Sequence, residues 1–359
     1  MDEQKISDSI KKLFSNVTNN FIFIYTPPKV GSTTLVTSLR VSLGKSYNII
    51  HIHDETMLSV LTGINDVKIN DIINYLSKQG KNVSVIDIYR TPIERKMSDF
   101  FEKISSYHFN NSETNVNNYS MKRISDRFNN IFPHVETGDH YLDKYNIDEP
   151  ILFDFEKKYT VQILNNIKYI KIRLCDSNLW SSILSTIFKT DIVIINDYKT
   201  EDKGVGELYK KFKNTYKIPI NYIEIIKQCK YFNFYYNELE RNAYLTNWSK
   251  NTTDEFVSYT VNEYNFYIKL CLENQYINDI QIDHYIDNCC YCKCCSLKRR
   301  EMFFKAKAGE NTFDKMNHDD LVNNYKLTKI KNIKENIKTV VNKINKKQKE
   351  NKFIIKHFL

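Results

Sequence analysis

Short apolar runs alternate with segments of helical spacing over the first hundred residues of the chain. The runs have the continuous apolar character of strands buried on both faces, and they comprise Phe21–Tyr25, Tyr47–His53 and Val83–Tyr89. Between them, apolar residues recur at helical spacing over Ser32–Leu43 and residues 68–79. Pro92 follows the third run, where the first turn of a helix accepts proline. This alternation predicts an α/β fold with a central, mainly parallel sheet.

The rest of the N-terminal two thirds predicts helices around this core and two more strands. Residues 1–20 have the pattern of a polar lead-in helix, and residues 106–150 predict a helical insertion with long loops. Further strands are predicted at Tyr169–Leu174 and Asp191–Ile195, with a helix at residues 178–188 between them.

The C-terminal part of the chain predicts more helices and two segments of unusual composition. Residues 204–275 are rich in Tyr and Phe and predict helices with an aromatic core. We therefore predict one α/β domain over residues 21–280, which includes the helical insertion. A Cys-rich, basic segment follows at residues 281–325, and residues 326–359 predict a basic amphipathic helix.

Composition and charge limit the classes to which the protein can belong. Hydrophobic residues make up 42% of the 359 residues, which is enough for a proper core. The N-terminus lacks the apolar segment of a secretory signal, and no apolar run approaches the roughly 18 residues of a membrane helix. We therefore expect a cytoplasmic protein. The net charge of +9 equals the excess of 11 Lys over 2 Glu in residues 321–359, so we expect no specific nucleic-acid partner for the body of the chain.

The turn between the first apolar run and the first helix has the residues of an anion-binding cradle. Its sequence is TPPKVGSTTL, and its candidate binding residues are Pro28, Lys29, Val30, Gly31, Ser32, Thr33 and Thr34. Gly31 allows close approach of the backbone, the helix N-terminus favours negative charge, and Lys29 adds a mobile cation. The Lys precedes the Gly, which departs from the nucleotide-binding pattern G-x-x-x-x-G-K-[ST]. The alternative is a plain helix N-cap at Ser32 or Thr33, with Lys29 in solvent.

A second candidate anion site follows the third apolar run, in the sequence RTPIERKMSDFF. Parallel strands place it at the same carboxyl edge as the first turn, where open α/β sheets bind ligands. We expect Arg90 and Ser98 to hold one phosphate, because the planar fork of Arg binds phosphate oxygens bidentately. Alternatively, Arg90 and Arg95 pair on a solvated face with nearby carboxylates, namely Asp87, Glu94 or Asp99.

Together the two motifs resemble those of the PAPS-dependent sulfotransferases. That family has a Pro-Lys-x-Gly-Thr-Thr-type loop for the 5′-phosphosulfate and an Arg-x-Pro-x-x-Arg-x-x-Ser motif for the 3′-phosphate. The first is similar here to Pro28–Thr33, with Ser32 in place of the first Thr. The second is similar to the set Arg90, Pro92, Arg95 and Ser98.

The chain also resembles the sulfotransferase-like family of capsular polysaccharide synthesis proteins. That similarity includes the Lys-Val-Gly-Ser-Thr segment, residues 172–180 and residues 234–238, within a span of about residues 20–250. It implies a P-loop-like three-layer α/β sandwich. The implied activity transfers a sulfuryl group from PAPS to a hydroxyl or amine of a carbohydrate or glycoconjugate, in surface or capsular polysaccharide synthesis. PAP is the implied product, and the chemistry requires no metal.

The resemblance also implies roles for particular side chains. Lys29 would neutralise the charge that builds up on the leaving phosphate oxygen. A His or a carboxylate would take the proton of the acceptor. His53 is the first candidate for this base, because it ends the second apolar run at the same sheet edge; the other candidates are His51, Asp54 and Glu55, with His108 and His140 further along the chain.

Five cysteines crowd into seven positions near the C-terminus, at Cys289, Cys290, Cys292, Cys294 and Cys295. They lack the separated C-x₂-C pairs of a zinc ribbon. A cluster without function, a soft-metal site and S-acylation beside the basic segment Lys298–Arg300 all stay open. Acylation, or the basic C-terminal helix, would bring the protein to a membrane surface.

Two functions from other classes remain as alternatives to sulfuryl transfer. One is a kinase-like P-loop enzyme that handles a nucleotide or phosphate. The other is a catalytically silent binding protein with the sulfotransferase fold. The presence of Lys29, Arg90 and Ser98 together favours an active enzyme over the silent alternative.

Overall fold

A five-stranded sheet forms the centre of the computed structural model, which describes residues 2–14, 16–102, 104–109, 111–131, 138–195, 201 and 204–254. The strands are β1 (Asn20–Tyr25), β2 (Asn48–Ile52), β3 (Asn82–Tyr89), β4 (Tyr159–Leu164) and β5 (Ile167–Arg173). Their order is β2-β1-β3-β5-β4, and the first four strands in this order are parallel, while β4 is antiparallel to β5. The predicted α/β class with a mainly parallel sheet is therefore confirmed.

Helices connect and cover the strands. They are α1 (Glu3–Leu13), α2 (Ser32–Leu43), α3 (Glu55–Thr62), α4 (Ile69–Lys78), α5 (Pro92–Glu102), α6 (Glu113–Asn117), α7 (Met121–Ile131), α8 (His140–Asp143), α9 (Trp180–Phe188), α10 (Gly206–Thr215), α11 (Ile220–Lys227), α12 (Lys230–Tyr235) and α13 (Glu238–Ser249). A π-helical turn at Ile104–His108 and 3₁₀ turns at Gly44–Ser46 and Leu174–Leu179 complete the set, and the two-residue strands β6 (Ile218–Pro219) and β7 (Thr252–Thr253) pair in parallel. Pro92 begins α5, as predicted, and the predicted helix at Ser32–Leu43 has the bounds of α2.

Alternate side chains of the four parallel strands enter two separate cores. In β1, the aromatic rings of Phe21, Phe23 and Tyr25 face a core that also receives α1, α3, α4, α5 and the helices from α10 to α13. Ile22 and Ile24 face the second core, which receives α2 and α9. Helices therefore pack on both faces of the sheet, which explains why its strands are continuous apolar runs and is compatible with a three-layer sandwich.

The predicted strand at Asp191–Ile195 is wrong. Among the described residues, this segment has no ladder partner. It lies along α2, where the N–H of Val193 donates to the Ser42 hydroxyl at 3.0 Å and the N–H of Ile195 donates to the Ser38 hydroxyl at 2.8 Å. Its apolar side chains join the second core beside α2 and α9. An apolar run buried under a helix has the same pattern as a buried strand, which is why the sequence did not separate the two.

Strand β4 is a sheet edge that the sequence reasoning missed. Asn165 and Asn166, with φ of 48° and 61°, make the two-residue hairpin turn that joins β4 to β5. Asn tolerates this left-handed backbone, so the pair was a usable hairpin signal.

Several of the predicted segments lie outside the described residues. These are residues 255–275 of the predicted helical region, the end of the predicted α/β domain, the Cys-rich segment 281–325 and the basic helix 326–359. Within the described part of the chain, no helix is long and apolar enough to cross a bilayer.

Candidate functional site

The turn from β1 to α2, here called the Lys29 turn (Thr26–Ser32), leaves the sheet between two neighbouring strands. Thr26 is fully buried at its start. Its N–H donates to the carbonyl of Ile52 in β2 at 3.2 Å, and its hydroxyl accepts from the N–H of Ile88 in β3 at 3.0 Å. The start of the Lys29 turn is therefore fixed between the strands that carry the other predicted site residues.

Left-handed backbone shapes the Lys29 turn. Gly31 has a φ of 88° and Lys29 a φ of 67°, a conformation that costs a residue with a side chain about 1 kcal/mol. A Cβ on Gly31 would lie 2.7 Å from Cδ1 of Leu174 and 3.2 Å from a ring carbon of Trp180. Glycine is therefore required at this position on two grounds, backbone conformation and space.

The N-terminus of α2 opens on the Lys29 turn. Gly31 is the N-cap residue and has no side chain with which to cap the helix, so a Ser32 or Thr33 N-cap is not the arrangement that forms. The partial positive charge of the helix N-terminus thus lies at the Lys29 turn. Around them, Pro28 is exposed, Val30 and Ser32 are buried, and Thr33 and Thr34 are half-buried.

Arg90 joins the two predicted motifs. It follows β3, and its Nη1 donates to the carbonyl oxygen of Lys29 at 2.8 Å. Arg95 lies deeper, with Nη1 at 3.4 Å from the carbonyl oxygen of Gly138, and burial lowers the pKa of its guanidinium. Ser98 is buried on α5. The structure thus brings Arg90 to the Lys29 turn, whereas Arg95 is directed toward the segment before α8.

The carboxylates near Arg90 and Arg95 have other partners. Asp87 accepts from Lys171 at 2.6 Å, and Asp99 lies 3.5 Å from the ammonium of Lys96. Glu94 accepts from the Tyr244 hydroxyl at 2.7 Å and from the Trp248 indole at 3.2 Å. Arg90 and Arg95 therefore do not form the alternative arrangement, in which they would pair with these carboxylates on a solvated face.

His53 lies against the first residue of the Lys29 turn. Its Nδ1 is 2.8 Å from the carbonyl oxygen of Thr26. A carbonyl only accepts, so Nδ1 carries the hydrogen and Nε2 is the basic atom of the neutral ring. His51 is buried behind it, with ring centroids 4.6 Å apart. His140 supports the same strand end, because its Nε2 lies 2.6 Å from the carbonyl oxygen of His53; burial lowers the pKa of His140 to about 3.

Glu55 and Asp54 hold the fold around the same strand end. The Tyr25 hydroxyl donates to the Glu55 carboxylate, and Lys144 binds its second oxygen at 2.8 Å. Burial opposes ionisation, but these hydrogen bonds outweigh it and keep the pKa of Glu55 below its ordinary value. Asp54 caps α3 by accepting from the N–H of Met57 at 2.8 Å. Of the base candidates at this strand end, His53 is therefore the one bonded to the Lys29 turn.

A carboxylate that sequence reasoning missed binds Lys29. Glu102, the last residue of α5, places Oε2 at 2.6 Å from the Lys29 ammonium. The two residues lie 73 positions apart in the chain, and no local motif signals the contact.

A buried ionic cluster, here called the Lys171 cluster (Asp87, Asp139, Lys171 and Tyr235), lies on the neighbouring strands. Lys171 in β5 is fully buried and binds the carboxylates of Asp87 in β3 and of Asp139 before α8. The Tyr235 hydroxyl donates to Asp139 at 2.6 Å, and burial raises the pKa of that carboxyl. A charged residue inside each of two apolar strands was a signal for this pair, since a buried charge needs a partner.

The residues that follow β5 support the Lys29 turn beside Gly31. Arg173, at the end of β5, is buried and binds Asp176 at 2.6 Å and Glu240 at 2.8 Å. Its carbonyl oxygen accepts from the Trp180 indole at 3.0 Å, and Trp180 is the ring that fills the space beside Gly31. Residues of 172–180 thus form the wall of the turn, while α13 neutralises Arg173.

The remaining predicted site residues are a buried histidine and a cysteine cluster. His108 stacks on Phe100 with ring centroids 4.4 Å apart, and burial holds its pKa well below the ordinary value. The five clustered cysteines lie outside the described residues. Among the residues that the structure describes, no group of three or more His, Cys, Asp or Glu is arranged to hold a metal ion.

Comparison of the chain with models of protein families, with curated proteins and with solved structures finds no significant match. The function is therefore argued from the geometry of the site and from the motifs.

Proposed function

We propose that the chain is a PAPS-dependent sulfotransferase with a P-loop-like fold, and that its nucleotide site lies at the carboxyl edge of β1 and β3. The observation that carries the proposal is the 2.8 Å hydrogen bond from Arg90 to the carbonyl oxygen of Lys29. It joins the motif assigned to the 5′-phosphosulfate to the motif assigned to the 3′-phosphate. Lys29 and Arg90 are therefore close enough to contribute their positive charges to one binding site for a 3′,5′-bisphosphate.

The chemistry of the turn fits an anionic group. Left-handed Gly31 has no Cβ and caps α2 without a side-chain oxygen of its own, so the positive end of the helix dipole lies at the turn. Lys29 and Arg90 add positive charge to the same turn. Arg90 has five N–H donors, of which one binds the turn, so the same guanidinium can hold the turn and a phosphate together.

The proposed reaction assigns one role to each of two side chains. PAPS, when bound, supplies the sulfuryl group, whose bond to the phosphate oxygen breaks as a bond to the acceptor oxygen or nitrogen forms. Lys29 neutralises the charge that develops on the phosphate oxygen. His53 takes the acceptor proton at Nε2, because its Nδ1 hydrogen is held by the carbonyl of Thr26.

The acceptor class rests on the resemblance alone. A hydroxyl or amine of a carbohydrate or glycoconjugate, in surface or capsular polysaccharide synthesis, is what the similar family implies. A kinase-like activity and a catalytically silent binding protein remain as the outcomes that the following experiments would reveal.

Calorimetry with PAP, ATP and GTP, each with and without Mg²⁺, tests the nucleotide assignment. We expect PAP to bind at least about tenfold more tightly than ATP, a difference of about 1.4 kcal/mol, and to bind equally well without Mg²⁺. Equal affinity for ATP, or binding that requires Mg²⁺, contradicts the sulfotransferase proposal and favours the kinase-like alternative.

Two substitutions separate the roles of the motif residues. Lys29→Ala should lower kcat for sulfuryl transfer, measured as PAP formed from PAPS, more than it weakens PAP binding. The reason is that the charge of Lys29 acts in the transition state. Arg90→Ala should mainly weaken PAP binding. Lys78→Ala is the matched control, since this lysine is 71% exposed at the far end of α4 and should change neither quantity. The reverse pattern for Lys29 and Arg90 would show that the roles are wrongly assigned.

His53→Ala tests the base. Transfer should be lost while PAP affinity stays nearly unchanged, because a base touches the acceptor and not the nucleotide. PAP binding without transfer to any carbohydrate acceptor, by the wild-type protein as well, would favour the silent binding protein.

A further inference from the structure

Glu102 occupies the position of a counter-ion at the proposed anion site. Its Oε2 lies 2.6 Å from the Lys29 ammonium, and the two side chains are only 23% and 16% exposed. A contact this short between partly buried groups is a charge-assisted hydrogen bond rather than a loose surface pair. The cation assigned to the ligand is therefore already engaged by a carboxylate of the chain.

The place of Glu102 in its own helix is unfavourable. It ends α5, where the helix dipole concentrates negative charge, and the last turn of α5 holds no basic residue. A carboxylate here gains nothing from its own helix. Lys29 stabilises it from another element, 73 residues away in the chain.

An incoming phosphate meets two effects of Glu102. The carboxylate repels the anion, and it competes with the anion for the Lys29 ammonium. Removal of the Glu102 charge would end both effects, so the affinity of the site for the anion should rise.

We propose that Glu102 is a built-in counter-ion that the anionic ligand displaces from Lys29, so that Lys29 reaches the ligand only after nucleotide binding. This inference rests on the proposed function, since it takes the Lys29 turn as the anion site. Glu102 then sets the affinity of the site and positions Lys29; it is not the base.

Calorimetry of PAP binding to Glu102→Gln tests the proposal, with the full chain and at one ionic strength. Removal of the charge at constant shape should tighten PAP binding about tenfold. Asp99→Asn is the matched control, because Asp99 lies on the same helix, is 48% exposed and carries the same charge. It should leave the affinity unchanged, which excludes an effect of net charge.

A double variant shows whether the effect passes through Lys29. On a Lys29→Ala background, Glu102→Gln should gain much less affinity than on the wild type, because the competition is gone. Glu102→Ala, with folding checked by circular dichroism, provides a second variant that should behave like Glu102→Gln.

The outcomes distinguish this inference from the function on which it rests. If the wild type binds PAP and Glu102→Gln binds it no more tightly than Asp99→Asn does, the counter-ion proposal fails and the function stands. If Glu102→Gln binds PAP normally but loses transfer, Glu102 is a base and the proposal is also overturned. If neither the wild type nor Glu102→Gln binds PAP, both proposals fail together.

Discussion

The Lys29 turn and the Lys171 cluster use the same kinds of charged side chain on neighbouring strands, but they are built differently. Lys171 is fully buried, and two carboxylates bind it. Lys29 is 16% exposed, stands on left-handed backbone, pairs with Glu102 and lies beside the helix N-terminus that Gly31 caps. The difference teaches that Lys171 is neutralised by two buried acids of the core, whereas Lys29 pairs with a partly exposed carboxylate, Glu102, which the anionic ligand proposed above would displace.

The largest expected effect comes from removing each lysine in turn. Lys171→Met should lower the free energy of unfolding by about 3–5 kcal/mol, because it leaves Asp87 and Asp139 buried without their cation. Lys29→Met should cost about 1 kcal/mol or less, since its ion pair is partly exposed. Urea unfolding of both variants measures the two values, and equal costs would contradict the distinction between the two regions.

This comparison also shows how far the sequence could be read. The apolar runs predicted β1, β2 and β3 and thereby the sheet edge, and the Lys29 and Arg90 motifs were predicted to meet there, as Arg90 and Lys29 do. The Lys171 cluster was not predicted, although Asp87 and Lys171 interrupt apolar strands, because the local sequence does not show that β5 pairs with β3 and places Lys171 beside Asp87. Glu102 had no signal at all, because its contact depends on where α5 ends in space.

Substitution of Gly31 should produce the next largest effect. Gly31→Ala should lower the free energy of unfolding by about 2–4 kcal/mol, because the left-handed backbone is strained and the added Cβ clashes with Leu174 and Trp180. The end of Leu174 can turn aside, but Trp180 is fully buried and held by its bond to Arg173. We also expect Gly31→Ala to weaken PAP binding.

Gly63→Ala is the control for backbone strain alone. Gly63 has a φ of 69°, but a Cβ at this position would meet no atom within 4 Å among the described residues other than its chain neighbours. Gly63→Ala should lower the free energy of unfolding by about 1 kcal/mol and leave PAP binding unchanged. If urea unfolding gives the same cost for both glycines, Trp180 does not restrict the turn.

The pH dependence of stability tests the support that His140 gives to the His53 strand end. Burial lowers the pKa of His140 to about 3 in the folded protein, well below its value in the unfolded chain. The unfolded chain therefore takes up the proton first, and stability that is complete above about pH 6.5 is lost as the pH falls. This group should contribute a slope of up to about 1.4 kcal/mol per pH unit between pH 6.5 and 5.

His140→Gln isolates that contribution, because Gln can still donate to the carbonyl of His53 but does not titrate. The variant should show a shallower decline between pH 6.5 and 5 than the wild type. Asp139, whose raised pKa acts in the opposite sense, is present in both proteins and cancels in the difference. Parallel stability curves would show that His140 does not carry the pH dependence.

The smallest expected effect concerns Tyr89, whose ring packs against that of Tyr235 in the Lys171 cluster. The rings of Tyr89 and Tyr235 lie 4.7 Å apart, and both are buried. The Tyr235 hydroxyl donates to Asp139 at 2.6 Å, whereas the buried Tyr89 hydroxyl has no hydrogen-bond partner among the described residues.

Tyr89→Phe removes an unsatisfied polar atom. We expect the free energy of unfolding to fall by no more than about 0.5 kcal/mol or to rise by up to about 1 kcal/mol. Tyr235→Phe leaves a buried carboxylate without its donor and should cost about 1–3 kcal/mol. Urea unfolding decides the matter: a loss of more than 1 kcal/mol in Tyr89→Phe would mean that its hydroxyl, like that of Tyr235, belongs to the buried network.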